Sequence, residues 1–507
     1  MVCHRGETQL MSFHILLRQG NPSEGSWKGS HRVRRRDWVT INTLPNDILL
    51  EIFYFYLRAK WSTEWHTLVH VCQRWRDIVF ASPRRLNLRL VYTGKRPMYE
   101  MLDIWPALPV AISLNTYPSS KSHHDRFWGN MAAALESEHN YRICEIDLIC
   151  IPASHWERLA TAMQKPFPEL KHLEIWVEGN TVMSLPDSFL GGSAPLLRRV
   201  RLGNCPFPGM PKLLLSANHL VTLSLWIIPD SGYFSPQALG TALSVMSRLE
   251  TLRVDFRSSR YPTSRPRPPL TRSVFPALIE LVFEGVHEYL EDLLAQIEAP
   301  LLKKLEIIFF MNLEFVVPQL HRLIGHAESF KTCHRAIVDS SDRGIRFAVF
   351  REETHNHSSE LFIAICGVDH LDRQLSSLVQ LFSSSFLLLS ALVRLDVEDP
   401  VHLTQQLSWK DYRETTQWLE LLAWFTAVKD LRLSNRVGRH ICEALEGVTE
   451  EKVKEVLPAL QNIFLSGLQP SESVPEFIEG FVAMRQNSGH PIAVHPWVDR
   501  GYHSPFL

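Results

Sequence analysis

Phe167-Pro168-Glu169-Leu170-Lys171-His172-Leu173-Glu174-Ile175 is the stretch that decides the fold. Pro168 stops any preceding helix and sets an extended entry. Leu173 and Ile175 then alternate with Glu174, as in a strand with one buried face. The unit, loosely Leu-x-x-Leu-x-Leu, recurs along the chain. It stands at Ile143-x-x-Ile146-x-Leu148, Leu197-x-x-Val200-x-Leu202, Leu220-x-x-Leu223-x-Leu225 and Leu249-x-x-Leu252-x-Val254. It continues at Leu278-x-x-Leu281-x-Phe283 and Leu302-x-x-Leu305-x-Ile307, then returns at Leu392-x-x-Leu395-x-Val397, Val428-x-x-Leu431-x-Leu433 and Leu460-x-x-Ile463-x-Leu465.

Between Ile143 and Leu302 successive units begin 23 to 29 residues apart. Ala194-Pro195-Leu196-Leu197, Phe275-Pro276-Ala277-Leu278 and Ala299-Pro300-Leu301-Leu302 repeat the Pro-led entry. Helix-like stretches, Trp156 to Met163, Pro236 to Met246 and Tyr289 to Ile297, lie between the strands. Strand, loop, helix and return make one coil of a solenoid, so the chain resembles leucine-rich-repeat arrays, whose period is about 20 to 29 residues. The fold class expected is an α/β repeat, with Leu173, Leu202, Leu225, Leu252, Leu281 and Leu305 pointing into one continuous core. In such arrays an Asn or Cys after the strand ties one coil to the next. Here it is visible mainly at Cys205, while Glu178, Val286 and Phe310 occupy the equivalent places. The pitch is therefore expected to be irregular. From about 311 to 385 the register is lost, with Arg346 to Phe350 and Leu361 to Ile365 as candidate strands.

Upstream the period is helical. Pro45 stands at the start of a helix, where its missing N–H costs nothing, and Asn46 or Asp47 can cap the free amides. Ile48, Leu49, Ile52, Phe53 and Tyr56 form one apolar stripe. A second helix is expected from about Trp65, with Leu68, Val69, Cys72, Trp75 and Val79 on its apolar face, ending at Ser82-Pro83. Leu86, Leu88 and Leu90 read as a first strand. Leu44-Pro45 at one end and Val71-Cys72-Gln73-Arg74-Trp75 at the other resemble the F-box, the module by which substrate receptors join a cullin-type ubiquitin ligase. The loop containing Trp61 departs from that pattern. The resulting division is a basic, disordered tail over 1–38, an F-box-like helical module over 39–85 and an irregular leucine-rich-repeat solenoid over 86–507.

Composition narrows the function. Lys plus Arg number 53 and Asp plus Glu 54, so no global field favours nucleic acid or acidic lipid. The cluster Arg32, Arg34, Arg35, Arg36 is a local exception, read as a solvated flank. The apolar run Phe386 to Val393 is far short of the roughly 20 residues a spanning helix needs. Eight cysteines without a CxxC pair read as free thiols in a reducing compartment. No G-x-S-x-G, GxxxxGK[ST] or H-E-x-x-H motif occurs. His123-His124 and His355-Asn356-His357 lack nearby partners of metal-ligand type. Trp176 and Trp226 read as core or concave-face packing residues. Tyr261 to Pro269, rich in Pro and Arg, reads as a flexible insertion.

No catalytic residue, cofactor, metal, nucleic acid or membrane is therefore expected. The F-box resemblance implies a cytoplasmic or nuclear substrate-recognition subunit of a Skp–cullin–F-box ubiquitin ligase, a receptor without an active site. It would bind a Skp-type adaptor, and through it a cullin, by Leu44, Pro45, Ile48, Leu49, Ile52, Cys72, Trp75 and Val79. The solenoid would hold an unknown protein substrate. Two other readings stay open: an interaction scaffold with no ligase role, and an unrecognised enzyme on a repeat fold.

Overall fold

The computed structural model describes residues 41–59, 65–103, 108–114, 121–179, 184–206, 212–258, 272–310, 315–341, 344–351, 359–366, 371–382, 387–398, 416–449, 452, 454–466 and 475–497. All ten repeated units become strands. They are β3 (Ile143–Pro152), β4 (His172–Glu178), β5 (Arg199–Gly203), β6 (Thr222–Ile228), β7 (Thr251–Phe256), β9 (Glu280–Gly285), β11 (Lys304–Phe309), β15 (Arg394–Glu398), β16 (Asp430–Leu433) and β17 (Asn462–Ser466). From β4 onward each strand begins two residues after the first apolar position of its unit. The Pro-led turn occupies the entry.

Helices return the chain between strands. The main ones are α5 (Lys121–Glu136), α6 (Ala153–Ala162), α7 (Lys212–Ser216), α8 (Pro236–Leu243), α9 (His287–Leu294), α10 (Pro318–His326), α11 (Leu371–Leu381), α12 (Thr416–Ala423), α13 (Asn435–Glu446) and α14 (Glu476–Asn487). Ser235 caps α8 by accepting from the Ala238 N–H at 3.1 Å, the first-turn arrangement Ser favours. Two expected helices are shorter than the sequence suggests: α8 stops at Leu243, and α9 at Leu294. Ile297 instead enters a two-residue strand, β10 (Ile297–Glu298), paired in parallel with β8 (Ser273–Val274).

The large sheet has 16 strands and is parallel except at one place. Besides the repeats it gains β1 (Leu90–Tyr92) and β2 (Val110–Ser113) at one end and β18 (Ala493–Trp497) at the other. Register is exact enough to line up whole rows of side chains. Leu173, Val200, Leu223, Leu252, Leu281 and Leu305 are successive Cα partners. All of them are fully buried. The next inward row contains Ile175, Leu202, Leu225, Val254, Phe283 and Ile307. These rows share one core with Leu159, Leu239, Leu290 and Leu320 of the helices. The continuous core expected from the six leucines is what the structure contains. Burying each such side chain contributes roughly 1.5–3 kcal/mol, which holds these helices on this face of the sheet.

Where the sequence loses its register, the sheet loses its parallel order. α10 leads to β12 (Arg335–Ser341), which lies three places from β11. The chain then doubles back through β13 (Gly344–Phe350), antiparallel to both its neighbours, and β14 (Leu361–Cys366) returns to pair with β11. The two strands expected over Arg346 to Phe350 and Leu361 to Ile365 are present, and β12 is added to them.

At the N-terminal end α1 (Asn46–Ala59), α2 (Trp65–Val69) and α3 (Gln73–Ala81) precede β1. The single second helix expected from Trp65 is broken at His70 to Cys72, where Cys72 is extended (φ −159°, ψ 169°). The Asn46 side chain is also used differently from its expected cap: its Oδ1 accepts from Arg74 Nε at 3.1 Å and Nη2 at 2.7 Å. Leu86 and Leu88 are buried in a turn, with Asn87 left-handed (φ 50°), so only Leu90 belongs to the first strand. Between α3 and β2 a short helix, α4 (Met98–Leu102), completes the described elements of this end. The tail 1–38, Arg32 to Arg36, Trp61, Tyr261 to Pro269 and His355 to His357 lie outside the described residues, and nothing is described of the His123 and His124 side chains.

Candidate functional site

Two surfaces stand out, one on the helical module and one on the sheet. α1 is apolar on two sides. Leu49, Phe53 and Leu57 are buried at steps of four and anchor it to the common core. Ile48, Ile52 and Phe55 recur at helical spacing on the other side and are exposed by 44%, 40% and 63%. Ile41 and Val71 add exposed apolar area nearby in sequence.

The structure divides the eight expected adaptor-contacting residues into three groups. Leu49 and Val79 are fully buried and hold the module together. Leu44, Cys72 and Trp75 are half-buried, while Pro45, Ile48 and Ile52 are exposed. Trp75 packs its ring on Phe53 at 4.7 Å, tilted by 58°. Its indole N–H is buried without an acceptor. Arg74 braces the entry to α1 by donating to Leu44 O at 2.6 Å. Phe55 was missed in the sequence because it falls three residues from Ile52, on the face opposite Phe53.

The second surface is the face of the sheet away from the helices. Strand alternation places Asp147, Glu174, Arg201, Ser224, Arg253, Val282 and Glu306 there in one row of Cα partners. One step along, Trp176, Gly203 and Trp226 form a second row. The two indoles meet edge-on at 5.6 Å above Gly203. A Cβ on Gly203 would come within 2.7 Å of the Trp176 ring, so only glycine leaves room for the pair. The Arg253 guanidinium lies 5.3 Å from the centre of the Trp226 ring, a cation–π distance.

The charges on this face are loosely matched. Arg201 Nη1 is 3.4 Å from Glu174 Oε2, and Arg253 Nη2 is 3.9 Å from Asp255 Oδ2. Burial pushes Asp255 up to about 6, against the pull of Arg253. Burial, and then Asp255 on the neighbouring strand, push Glu284 up to about 7. Farther along, Asp396 is fully buried and accepts from Arg335 Nε and Arg394 Nε, both at 2.7 Å. Arg432 lies 5.0 Å over the Phe464 ring, which stacks on His495.

Among the described residues no group of three His, Cys, Asp or Glu side chains is placed to hold a metal ion. Among them, too, no helix is long and apolar enough to cross a membrane.

No protein-family model matches the chain, and no curated protein matches it. Among solved structures, the leucine-rich repeat-containing protein LegL7 from Legionella pneumophila is similar over 79% of this chain and 98% of that one. The identity is 12% and the TM-score 0.21, a likeness too distant to carry an argument. The repeat architecture rests on the strand register itself.

Proposed function

We propose that this chain is a non-catalytic receptor subunit: its helical module is an F-box that binds a Skp-type adaptor of a cullin ubiquitin ligase, and its leucine-rich-repeat-like sheet holds a protein target. The observation that carries the reading is the second apolar stripe of α1. Ile48, Ile52 and Phe55 remain exposed although the opposite stripe is already buried. The Leu44-Pro45 and Val71 to Trp75 pattern supplies the kind of partner. The chain would act by proximity, raising the effective concentration of a target beside the ligase, in the cytoplasm or nucleus.

A second reading has its own observation. Trp65 Nε1 donates to Arg89 O at 2.7 Å, and the module shares the core of the first strands. A hairpin so attached serves equally as an end cap of a repeat scaffold with no ligase role.

The experiment is calorimetry of the full chain against a Skp-type adaptor, repeated with Ile48→Ser and Phe55→Ser combined. The expected result is one-to-one binding by the wild type and at least a hundredfold loss in the variant, with an unchanged melting temperature. Absence of binding by the wild type removes the ligase reading and leaves the scaffold. If the adaptor binds, reconstitution with the cullin then tests ubiquitin transfer.

A further inference from the structure

We propose that the centre of the open sheet face is a binding site for the C-terminal residue of a partner protein, an apolar residue whose carboxylate is held by Arg201, Ser224 and Arg253 while its side chain rests on Trp176 and Trp226. This names the chemistry by which the sheet would choose its target, and so rests on the receptor reading above.

Unused hydrogen-bond donors come first. Arg201 Nε, Arg253 Nε and Trp226 Nε1 are each buried with no hydrogen-bond partner. They lie on three adjacent strands, β5, β6 and β7. Between the two arginines, in the same row, stands Ser224, only 4% exposed. Leu223 and Leu225 beside it are buried in the core, so alternation turns the Ser224 hydroxyl to the open face. Buried polar groups are almost always paired, and three unused donors on adjacent strands are not scattered exceptions. All of them can donate. Their common complement is an acceptor with several lone pairs, an anion.

The neighbouring charges choose the anion. Glu174 accepts from Arg201 Nη1 at 3.4 Å and Asp255 lies 3.9 Å from Arg253 Nη2, so the two carboxylates balance the guanidinium charge while both Nε groups keep no partner. A doubly charged phosphate would be repelled by that pair of carboxylates. A single carboxylate asks for one net charge less and can still accept from both arginines.

The aromatic row fixes where the carboxylate comes from. Trp226 follows Ser224 by two residues on the same face, roughly 6.8 Å along a strand. Trp176 and Trp226 present an apolar platform at that distance, kept open by Gly203. The ligand must therefore carry an apolar body and a carboxylate within one residue's reach. Asp and Glu have no apolar body to spare. In a protein only the last residue has both.

The test uses the full chain and N-acetyl-L-phenylalanine, which carries the carboxylate and the ring on one Cα. Calorimetry should show saturable one-to-one binding. N-acetyl-L-phenylalaninamide, phenyl phosphate and N-acetyl-L-glutamic acid α-amide should each bind at least tenfold more weakly. Arg253→Gln should lose at least tenfold in affinity for the acid and Ser224→Ala about threefold, each with an unchanged far-ultraviolet circular dichroism spectrum. Ser224→Ala removes one oxygen and no packing, so it keeps the test valid if Arg253→Gln misfolds. Failure to saturate, equal binding of the amide, or wild-type affinity in a folded variant overturns the site. Tighter binding of phenyl phosphate overturns the carboxylate, and equal binding of the glutamate derivative overturns the chain terminus. The titration contains no adaptor, so its failure is distinct from failure of adaptor capture at α1.

Discussion

Asn204 donates its side-chain amide to the carbonyl of Val177, 2.9 Å away and one coil back. The same nitrogen reaches Gly179 O at 2.5 Å, and the Asn204 backbone N–H goes forward to Trp226 O at 2.8 Å. One residue thus joins three coils, and its left-handed backbone (φ 53°) is what aims the amide backward. Cys205, the residue that the repeat pattern points to, donates only to Gly203 O, within its own coil. Asn204→Ala should destabilise the chain by about 2–4 kcal/mol, from the lost bonds and the strained backbone together. Asn204→Gly keeps the φ and should cost about 1 kcal/mol less. Urea denaturation of both variants separates the two contributions.

Gly344 opens β13 with φ 145°, and a Cβ there would stand 1.9 Å from Ile365 O on the adjacent strand. That atom is backbone within a ladder and cannot swing aside. Gly344→Ala should therefore cost more than about 3 kcal/mol, as strand separation or bent geometry absorbs the clash. Gly489→Ala is the matched control: its φ is also positive, 80°, but the space beside it is open. It should cost only about 1 kcal/mol. Equal denaturation midpoints for the two variants would show that β13 is not seated as described.

Glu291 should make stability fall as pH rises toward neutrality. Its carboxylate accepts from the backbone N–H groups of Gln319 and Leu320, at 2.8 and 2.9 Å, at the start of α10. Burial outweighs those bonds and pushes it up to about 7. In the unfolded chain the group titrates near the ordinary Glu value, about 4.3. Between those values the folded state binds more protons than the unfolded one, so the contribution is complete below about 4.3 and is lost as pH rises through about 7. The local slope is at most about 1.4 kcal/mol per pH unit for this group. Glu291→Gln should flatten the dependence of the denaturation midpoint on pH between 5 and 7. A curve parallel to the wild type would place the proton elsewhere.

Ten strands were legible in the sequence because each repeats its apolar spacing within a few residues, a signal that neighbours in the chain carry alone. β12 was not. Its Ala336, Ile337 and Val338 are consecutive, apolar and all buried, so the alternation that announces a strand is absent. The break at His70 to Cys72 was hidden because Leu68, Val69, Cys72 and Trp75 keep helical spacing across it. In the helical module the sequence named the right apolar residues but not their division: Leu49 faces inward and Ile48 outward, one position apart. The donors on the sheet face were beyond reach for another reason. Arg201, Ser224 and Arg253 are separated by more than twenty residues each and become neighbours only through register.

The antiparallel strand β13 also bears on how the molecule comes apart under load. In a plain array each coil grips only its neighbours, so tension applied at one end frays coils singly. Pulled from the C-terminus, β18, β17, β16 and β15 can leave in that order. Beyond them the path is blocked, because the chain leaving β12 passes back through β13 and β14 to reach β11. The next strand back along the chain, β14, is held on both flanks, by β11 and by β13, so it has no open edge from which to peel. The irregularity in the middle of the sheet is therefore a mechanical stop, which shields the N-terminal coils and the helical module from forces acting on the far end.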